Sequence, residues 1–210
     1  MASLLRHNAA VVMERISEIN HDREKSKYYK DASLKIKNAV FETFYDDETG
    51  WLYSATGVGH QHDVWATAYA VFSGITSNEK TLFALSSAYK NKTAVVDGYV
   101  RHILTNEDFS DISAWESTIT AHNVYQNGAF WATPTGWYAY ALYKYDGSVD
   151  ILKDFLAHTK KNEERYAPFE WMDESGENVS GLKYGTSGVL PYIAAKRILD
   201  NARSIERRII

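Results

Sequence analysis

The chain has 210 residues, of which 45% are apolar and 24% charged, and its net charge is −4. This composition fits one globular domain with a substantial core, and it gives no reason to expect nucleic acid or an anionic membrane as a partner. No apolar run reaches the roughly 18 residues that would cross a membrane. Because cysteine is absent, the sequence excludes disulfides, thiol catalysis and thiolate metal sites.

Hydrophobic periodicity predicts four helices in the first half of the chain. The first two cover residues 8–20 and 26–43, the third begins near Asp63, and the fourth covers about 78–90. A long irregular stretch follows, at about residues 93–130. Loops of that length in compact domains are usually functional or disordered, and its Val, Ile, Tyr and Trp content argues against disorder. We therefore expect a functional loop there.

Three further helices are predicted in the second half, from residue 133, over 148–164 and over 187–203. The third, fifth and seventh predicted helices are apolar nearly all round, as buried helices are, whereas the second, fourth and sixth are amphipathic. This alternation is typical of a two-layer α/α toroid built from helical hairpins. The predicted fold class is all-α, a partial α/α toroid of about seven helices that forms a single domain over residues 1–210.

The loops that precede the three buried helices should gather at one end of such a toroid, because its inner helices run in the same direction. Cap signals mark the starts of these helices: Asp63, Thr133 before Pro134, and Thr186 or Ser187. The partial positive charges of the helix N-termini would point at the same end. We call this end, formed by the three loops, the rim.

Side chains in the rim loops have the composition of a carbohydrate-binding site. Aromatic rings stack on the C–H faces of sugars, and amides or imidazoles bond the hydroxyl groups. The predicted substrate-binding residues are His62, Trp65, Tyr125, Gln126, Asn127, Trp131, Trp171 and Tyr184. The alternative is that each Trp is an amphipathic packing residue with a satisfied N–H group. A glycine-rich phosphate loop is missing, which weakens a nucleotide-binding interpretation.

Three carboxylates are candidates for catalysis. Cleavage of a glycosidic bond needs one acid to protonate the leaving oxygen and one carboxylate to activate water or attack the anomeric carbon. Glu170 is the first candidate, because it lies between Phe169 and Trp171, an apolar setting of the kind that activates carboxylates. Asp63 and Glu116 are the other two. Structural roles stay open as alternatives: a Glu170 side chain bonded to backbone or arginine, and Asp63 as a helix cap.

Metal and cofactor chemistry is not predicted. His60 and His62 precede Asp63 in a His-x-His-Asp pattern, but two imidazoles and a carboxylate without a further partner are a weak metal signal. The acidic pair Asp46 and Asp47 is interpreted as part of a solvated turn. We therefore expect neither a metal nor a cofactor.

Several segments resemble the six-hairpin glycosidases, a superfamily with α-L-rhamnosidase-like and related bacterial members. They are FYDDETGWLYSATG, HQHDVWATAYAVFSGI, YQNGAFWATPTGW and SGLKYGTSGVLPYIAAKRIL. The resemblance covers about residues 24–200 and implies an (α/α)6 toroid that acts on or binds carbohydrate. It also implies that this chain corresponds to about the C-terminal half of a twelve-helix toroid. An open half-toroid would expose apolar inner-helix surface, which predicts self-association or contact with a missing N-terminal half.

The rim residues and the resemblance together predict a glycoside hydrolase, or the C-terminal half of one. Glu170 would be the base or nucleophile, and Asp63 or Glu116 the acid. One alternative is a carbohydrate-binding relative without catalysis. Another is an α/α-barrel sugar epimerase or polysaccharide lyase, in which His60, His62 or His122, together with Tyr125, transfers the proton. A purely structural helical repeat ranks last, because such arrays rarely concentrate Trp, amide and carboxylate side chains at one end.

The expected partner is a carbohydrate substrate, with no nucleic acid and no membrane. The segment MASLLRHNAAVVMERI lacks the continuous apolar region of a signal peptide, so the expected location is cytoplasmic. A mature secreted or periplasmic chain remains the alternative, since such a chain can also lack cysteine.

Overall fold

Helices make up most of the chain in a computed structural model, which describes residues 1–57, 60–105, 107, 123–173, 175–176, 179–180 and 185–209. The seven helices of these residues are α1 (Ala2–Ile19), α2 (Arg23–Phe44), α3 (Val64–Phe72), α4 (Glu79–Lys90), α5 (Thr135–Asp146), α6 (Asp150–Lys161) and α7 (Gly185–Ile209). The prediction of a mostly helical chain is confirmed. None of the helices in the described ranges is both long enough and apolar enough to cross a membrane.

Two aspartates cap helices in the first half of the chain. Asp22 Oδ1 accepts a hydrogen bond from the Lys25 backbone N–H at 3.0 Å, at the start of α2. Asp63 Oδ1 accepts one from the Ala66 backbone N–H at 2.8 Å, at the start of α3. Each carboxylate thus satisfies a donor that would otherwise lack a partner in the first helical turn. The predicted cap at Asp63 is confirmed.

The caps predicted for α5 and α7 are wrong. α5 begins at Thr135, directly after Pro134, so Thr133 is not its cap residue. α7 begins at Gly185, and Thr186 and Ser187 lie inside its first turn. Element ends are the hardest part of a helix to read from sequence, because several neighbouring Ser and Thr residues can each serve as a cap.

α5 is the centre of the helical packing and contacts α3, α4, α6 and α7, while α3 also contacts α1, which pairs with α2. α3 is buried along nearly its whole length and α5 along its first two turns, as the sequence predicts. Gly136 allows α5 to approach α7, since a Cβ at this position would collide with the carbonyl oxygen of Leu190. Tyr138 fixes α5 to α4 by donating a 2.6 Å hydrogen bond to the carbonyl of Leu85.

α7 differs from the prediction that it is apolar on all sides and buried. Its apolar side chains at Val189, Tyr192, Ile193 and Leu199 are exposed. The reason is that its packing partner α5 lies on one side of it, so α7 is half-buried rather than enclosed.

The described residues also contain a small antiparallel sheet, which the all-α prediction did not include. Its five strands follow chain order: β1 (Val95–Val96), β2 (Tyr99–Arg101), β3 (Phe130–Trp131), β4 (Trp171–Met172) and β5 (Val179–Ser180). β1 and β2 form a hairpin around Asp97 and Gly98, whose φ angles are 49° and 80°. An Asp-Gly pair between valine-rich segments is the sequence signal of such a turn. That signal lies inside the stretch interpreted as irregular.

The register of the sheet sorts its side chains onto two faces. Val100 pairs with Trp131, and Trp131 pairs with Trp171, so the two indoles share one face. Phe130 and Met172 occupy the opposite face, where they pack with residues of α6 in a buried cluster. The sheet therefore fixes one face to the helical core and turns the tryptophans of β3 and β4 the other way.

Candidate functional site

Four predicted substrate-binding residues from separate parts of the chain meet in one group of rings, which we call the aromatic face (Trp65, Tyr125, Trp131 and Trp171). The ring centroids of Trp65 and Trp131 lie 5.6 Å apart, those of Tyr125 and Trp131 4.8 Å, and those of Tyr125 and Trp171 6.2 Å. All three contacts are edge-to-face, the favourable geometry for aromatic pairs. Helix α3, the turn before β3, β3 itself and β4 supply one residue each.

Backbone carbonyls satisfy two of the indole N–H groups in the aromatic face. Trp65 Nε1 donates to the carbonyl of Val100 at 3.2 Å, and Trp131 Nε1 donates to the carbonyl of Tyr125 at 3.1 Å. Trp131 is 5% exposed and forms the buried centre of the group, whereas Tyr125 is 41% exposed. Trp131 thus fits the packing interpretation, and contact with a ligand falls to the more exposed rings around it.

The amide residues of the same turn are less accessible than the ring of Tyr125. Asn127 is 3% exposed, and its backbone N–H donates to the carbonyl of Val124 at 3.1 Å, so its side chain is enclosed in the turn. Gln126 is half-buried. The buried guanidinium of Arg101 lies against Gly128, where an added Cβ would come within 2.7 Å of Nη2. The buried, positively charged side chain of Arg101 therefore packs against the turn that carries Tyr125.

Asp63 is buried and supports α3 rather than facing solvent. Besides capping the helix, its Oδ1 lies 3.3 Å from Nε2 of His102, whose ring stacks on Trp65 at a centroid distance of 4.5 Å. Burial alone would raise the pKa of Asp63, but His102, the Met1 amino group and the Ala66 N–H more than offset it and leave the pKa below its usual value. The carboxylate is therefore ionised near neutral pH, a poor state for a general acid.

His62 bridges two carboxylates. Its Nδ1 lies 2.6 Å from Glu107 Oε1, its backbone N–H donates to Glu107 Oε2 at 2.7 Å, and its Nε2 lies 3.2 Å from Asp46 Oδ2. The ring stacks on Tyr53 with centroids 5.2 Å apart. Ionised carboxylates only accept hydrogen bonds, so the imidazole can bond both partners only when both of its nitrogens carry protons.

The charges of this bridge shift the pKa values of His62 and Asp46 in opposite directions. Burial would lower the pKa of His62, but Glu107 and Asp46 outweigh it, so the pKa lies above its usual value. Burial would raise the pKa of Asp46, but hydrogen bonds from Thr49, the Glu48 backbone, His62 and Tyr53 lower it to about 2. Both shifts favour a protonated imidazole held between two carboxylates.

Asp46 does belong to a turn, as predicted, since its Oδ1 accepts from the Glu48 backbone N–H at 2.9 Å and its Oδ2 from the Thr49 hydroxyl at 2.6 Å. Its side chain is largely buried against His62, so it is not solvated. Sequence reasoning missed Glu107 and His102 as well. Glu107 lies 45 positions from His62 and belongs to no local motif, so no pattern in the sequence could have paired them.

Glu170 lies at the start of β4, half-buried between Phe169 and Trp171. Its backbone carbonyl accepts a hydrogen bond from the Ala132 N–H at 3.3 Å, which ties it to the end of β3. Among the described residues, no hydrogen bond or ion pair to its carboxylate is seen. Glu170 is thus the chain neighbour of Trp171 in the aromatic face, and its catalytic role stays a prediction.

Two predicted site residues, Glu116 and Tyr184, lie outside the described residues, as does His122. His60 is exposed, with its ring against Tyr53 at 5.1 Å. In the described ranges, no group of three or more imidazole and carboxylate side chains is arranged to hold a metal ion.

Comparison with known proteins adds no assignment to this geometry. The chain matches no protein-family model, and no curated protein matches its sequence. The resemblance to six-hairpin glycosidases therefore stays a prediction that depends on the quoted segments and on the site described above.

Proposed function

We propose that this chain is a carbohydrate-active protein of the glycoside hydrolase class, with Glu170 as the catalytic base or nucleophile. The observation that carries the proposal is the convergence of Trp65, Tyr125 and Trp171 from α3, the turn before β3, and β4. Rings from distant parts of a chain that form one partly exposed group suit the C–H faces of a sugar. Glu170 directly precedes Trp171 in the chain, which makes it the candidate carboxylate for cleavage of a glycosidic bond.

The helical packing supports a partial α/α toroid as the scaffold of this proposal. Contacts run from α1 to α3, from α3 to α5 and from α5 to α7, while α2, α4 and α6 pair with these helices from outside the series. In such an arrangement the odd-numbered helices form the inner layer. One end of the toroid would then be formed by the start of α3, the segment that precedes α5, and β4. These are the parts of the chain that carry the aromatic face.

The second carboxylate of a hydrolase is assigned by elimination between two candidates. Asp63 is held ionised by His102 and by the α3 N-terminus, so it suits anchoring of the rim better than proton donation. Glu116 remains the candidate acid, from the long second loop. The sugar hydroxyls would be bonded by Gln126 and by groups that neighbour Tyr125.

One observation favours a second candidate, proton transfer on a sugar as in an epimerase or lyase. His62 carries a proton between Glu107 and Asp46, and an imidazole tuned by two carboxylates is a common proton-transfer group. The reaction products separate the two functions. A hydrolase adds water and releases a reducing sugar, whereas an epimerase gives an isomer and a lyase an unsaturated sugar end.

The test is product analysis after incubation of the purified chain with a broad oligosaccharide panel. Under the proposal, Glu170→Gln abolishes release of sugar while binding is kept, and Glu164→Gln, at an exposed acidic position nearby, has no effect. Full turnover by Glu170→Gln would overturn the assignment of that residue. Binding without any product, in the wild-type chain, would favour the non-catalytic relative instead.

A further inference from the structure

One side of α1 carries a continuous apolar stripe that faces solvent. Leu5, Ala9, Val12, Ile16 and Ile19 follow each other at alternating intervals of four and three residues, and all five are exposed. We call this stripe the α1 seam. Its mean spacing of about 3.5 residues is that of the contact positions in a two-stranded coiled coil.

The packed side of α1 is less apolar than the exposed side. Its buried residues are Leu4, His7, Ala10 and Ser17, of which two are polar. The less apolar side of α1 therefore packs against α2 and α3, and its more apolar side faces water. Single exposed apolar residues need no explanation, but a contiguous patch on a soluble surface marks an interaction site.

We propose that the α1 seam binds the α1 seam of a second copy of this chain, in an antiparallel two-helix contact. A stripe with the coiled-coil repeat is complementary to another helix with the same repeat, because each side chain inserts between four residues of the facing helix. Two-fold symmetry supplies such a helix from the same protein, with the identical stripe on both sides of the interface.

The sizes of the seam residues favour the antiparallel direction. Antiparallel pairing places Leu5 opposite Ile16 and Ala9 opposite Val12, so no layer consists of two alanines. Parallel pairing would set Ala9 against Ala9 and leave a gap in the middle of the contact. Antiparallel helices also oppose their dipoles. Arg6 and Arg15 flank the two opposite edges of the seam, so they do not face each other across it.

The length of the seam sets the expected strength of the contact. α1 has 18 residues and is about 27 Å long. A stable dimer buries roughly 800 Å² on each subunit, which one short helix barely supplies. We therefore expect a reversible dimer that dissociates on dilution through the micromolar range.

Sedimentation velocity over a dilution series tests the contact with the full chain. The wild type should change from dimer to monomer on dilution, and the double substitution Val12→Lys with Ile16→Lys should be monomeric at every concentration. Phe83→Lys with Leu156→Lys is the matched control, since both residues are exposed and apolar but lie on α4 and α6. Circular dichroism confirms that each variant is folded. A wild type that stays monomeric, or a dimer that survives the α1 substitutions, overturns the proposal.

Disulfide trapping tests the direction, and the absence of native cysteine makes it unambiguous. Leu5→Cys mixed with Ile16→Cys should form a crosslinked pair of unlike chains under mild oxidation, while Leu5→Cys alone should not crosslink to itself. Self-crosslinking of Leu5→Cys without the mixed product would show parallel helices and overturn the antiparallel arrangement. If neither the mixed sample nor Leu5→Cys alone forms a crosslink, the α1 contact itself is overturned.

Discussion

His62 and Glu107, 45 positions apart in the chain, are joined twice, through the imidazole Nδ1 at 2.6 Å and through the backbone N–H at 2.7 Å. One glutamate side chain thus fixes both the ring and the main chain of the same histidine. The contact ties the loop before α3 to the loop after β2, the two segments that carry most of the rim.

The His62 bridge should make stability depend on pH in a defined window. The pKa of His62 is raised in the folded state, so its contribution is complete below about pH 6.5 and is lost as pH rises through the folded value. The pKa of Asp46 is lowered to about 2, so its contribution is present above about pH 4 and is lost as pH falls toward 2. Urea unfolding at a series of pH values should show the largest contribution of the bridge between these limits.

Replacement of Glu107 by Gln should weaken the pH dependence above neutrality, because Asp46 alone then raises the pKa of His62, and it should cost about 1–3 kcal/mol at pH 6, since a charged hydrogen bond is lost. Glu163→Gln, at an exposed position, is the control and should leave the unfolding curve unchanged. The assignment fails if Glu107→Gln keeps the wild-type profile between pH 6 and 9.

Two buried histidines should destabilise the folded protein as the pH falls, an effect opposite to that of the raised pKa of His62. Burial is the main cause of the lowered pKa values of His7 and His158, and each has an Nδ1 atom without a hydrogen-bond partner. A lowered folded pKa means that stability is unaffected above about pH 6.5 and decreases as pH falls below it, because the unfolded chain binds the proton more tightly. His158→Gln should reduce the loss of stability between pH 6.5 and 5, measured by thermal unfolding. An unchanged acid slope in this variant would contradict the prediction.

Two substitutions at Asp63 can separate the contribution of helix capping to stability from the contribution of the carboxylate charge. Asp63→Asn keeps an oxygen that can accept the Ala66 N–H and loses the charge beside His102, whereas Asp63→Ala loses both. We expect the alanine variant to be destabilised by about 2 kcal/mol or more, and the asparagine variant by less. Equal destabilisation in urea unfolding would show that capping contributes nothing at this position.

The hairpin turn at Gly98 should tolerate no side chain. Its φ angle is 80°, and a Cβ would come within 2.5 Å of the backbone nitrogen of Phe155. Gly147 is the matched control: its φ angle is 78°, but nothing lies within 4 Å of the added atom. Gly147→Ala should cost about 1 kcal/mol for backbone strain alone, and Gly98→Ala clearly more, because α6 must move. Similar losses for both variants would contradict the close packing of the turn on α6.

Contact with sugar should depend on Tyr125 more than on Trp131, because Tyr125 is the exposed ring of the aromatic face. Tyr125→Ala should weaken binding of a sugar ligand about tenfold with little change in the unfolding midpoint, since a stacked ring contributes roughly 1–1.5 kcal/mol. Tyr166→Ala, another exposed tyrosine outside the aromatic face, is the control. Equal binding by wild type and Tyr125→Ala, measured by calorimetry, would remove this ring from the site.

The helices could be predicted from the sequence because their periodicity is local. Asp63 capped α3 as expected, and α3 and α5 are as buried as their apolar composition indicates. The sheet was missed because strands of two or three residues carry little periodicity, and the Asp97-Gly98 signal was the one local clue.

The candidate site was predictable in its aromatic residues and not in its charged ones. Trp65, Tyr125 and Trp171 stand out by their residue type in polar loops, and the fold brings them together. The His62 bridge depends on Glu107, whose partner lies far away in the chain. Such pairing is set by tertiary packing, and single-sequence patterns do not carry it.

The edge-to-face contact of Trp65 with Trp131, at 5.6 Å and 72°, also has an optical consequence. Two indoles held this close and this strongly inclined couple their electronic transitions. The coupling gives paired circular dichroism bands of opposite sign that vanish when either ring is removed. Since both rings belong to the aromatic face, this signal follows the geometry of the site without any label, in solution and during titration with sugars.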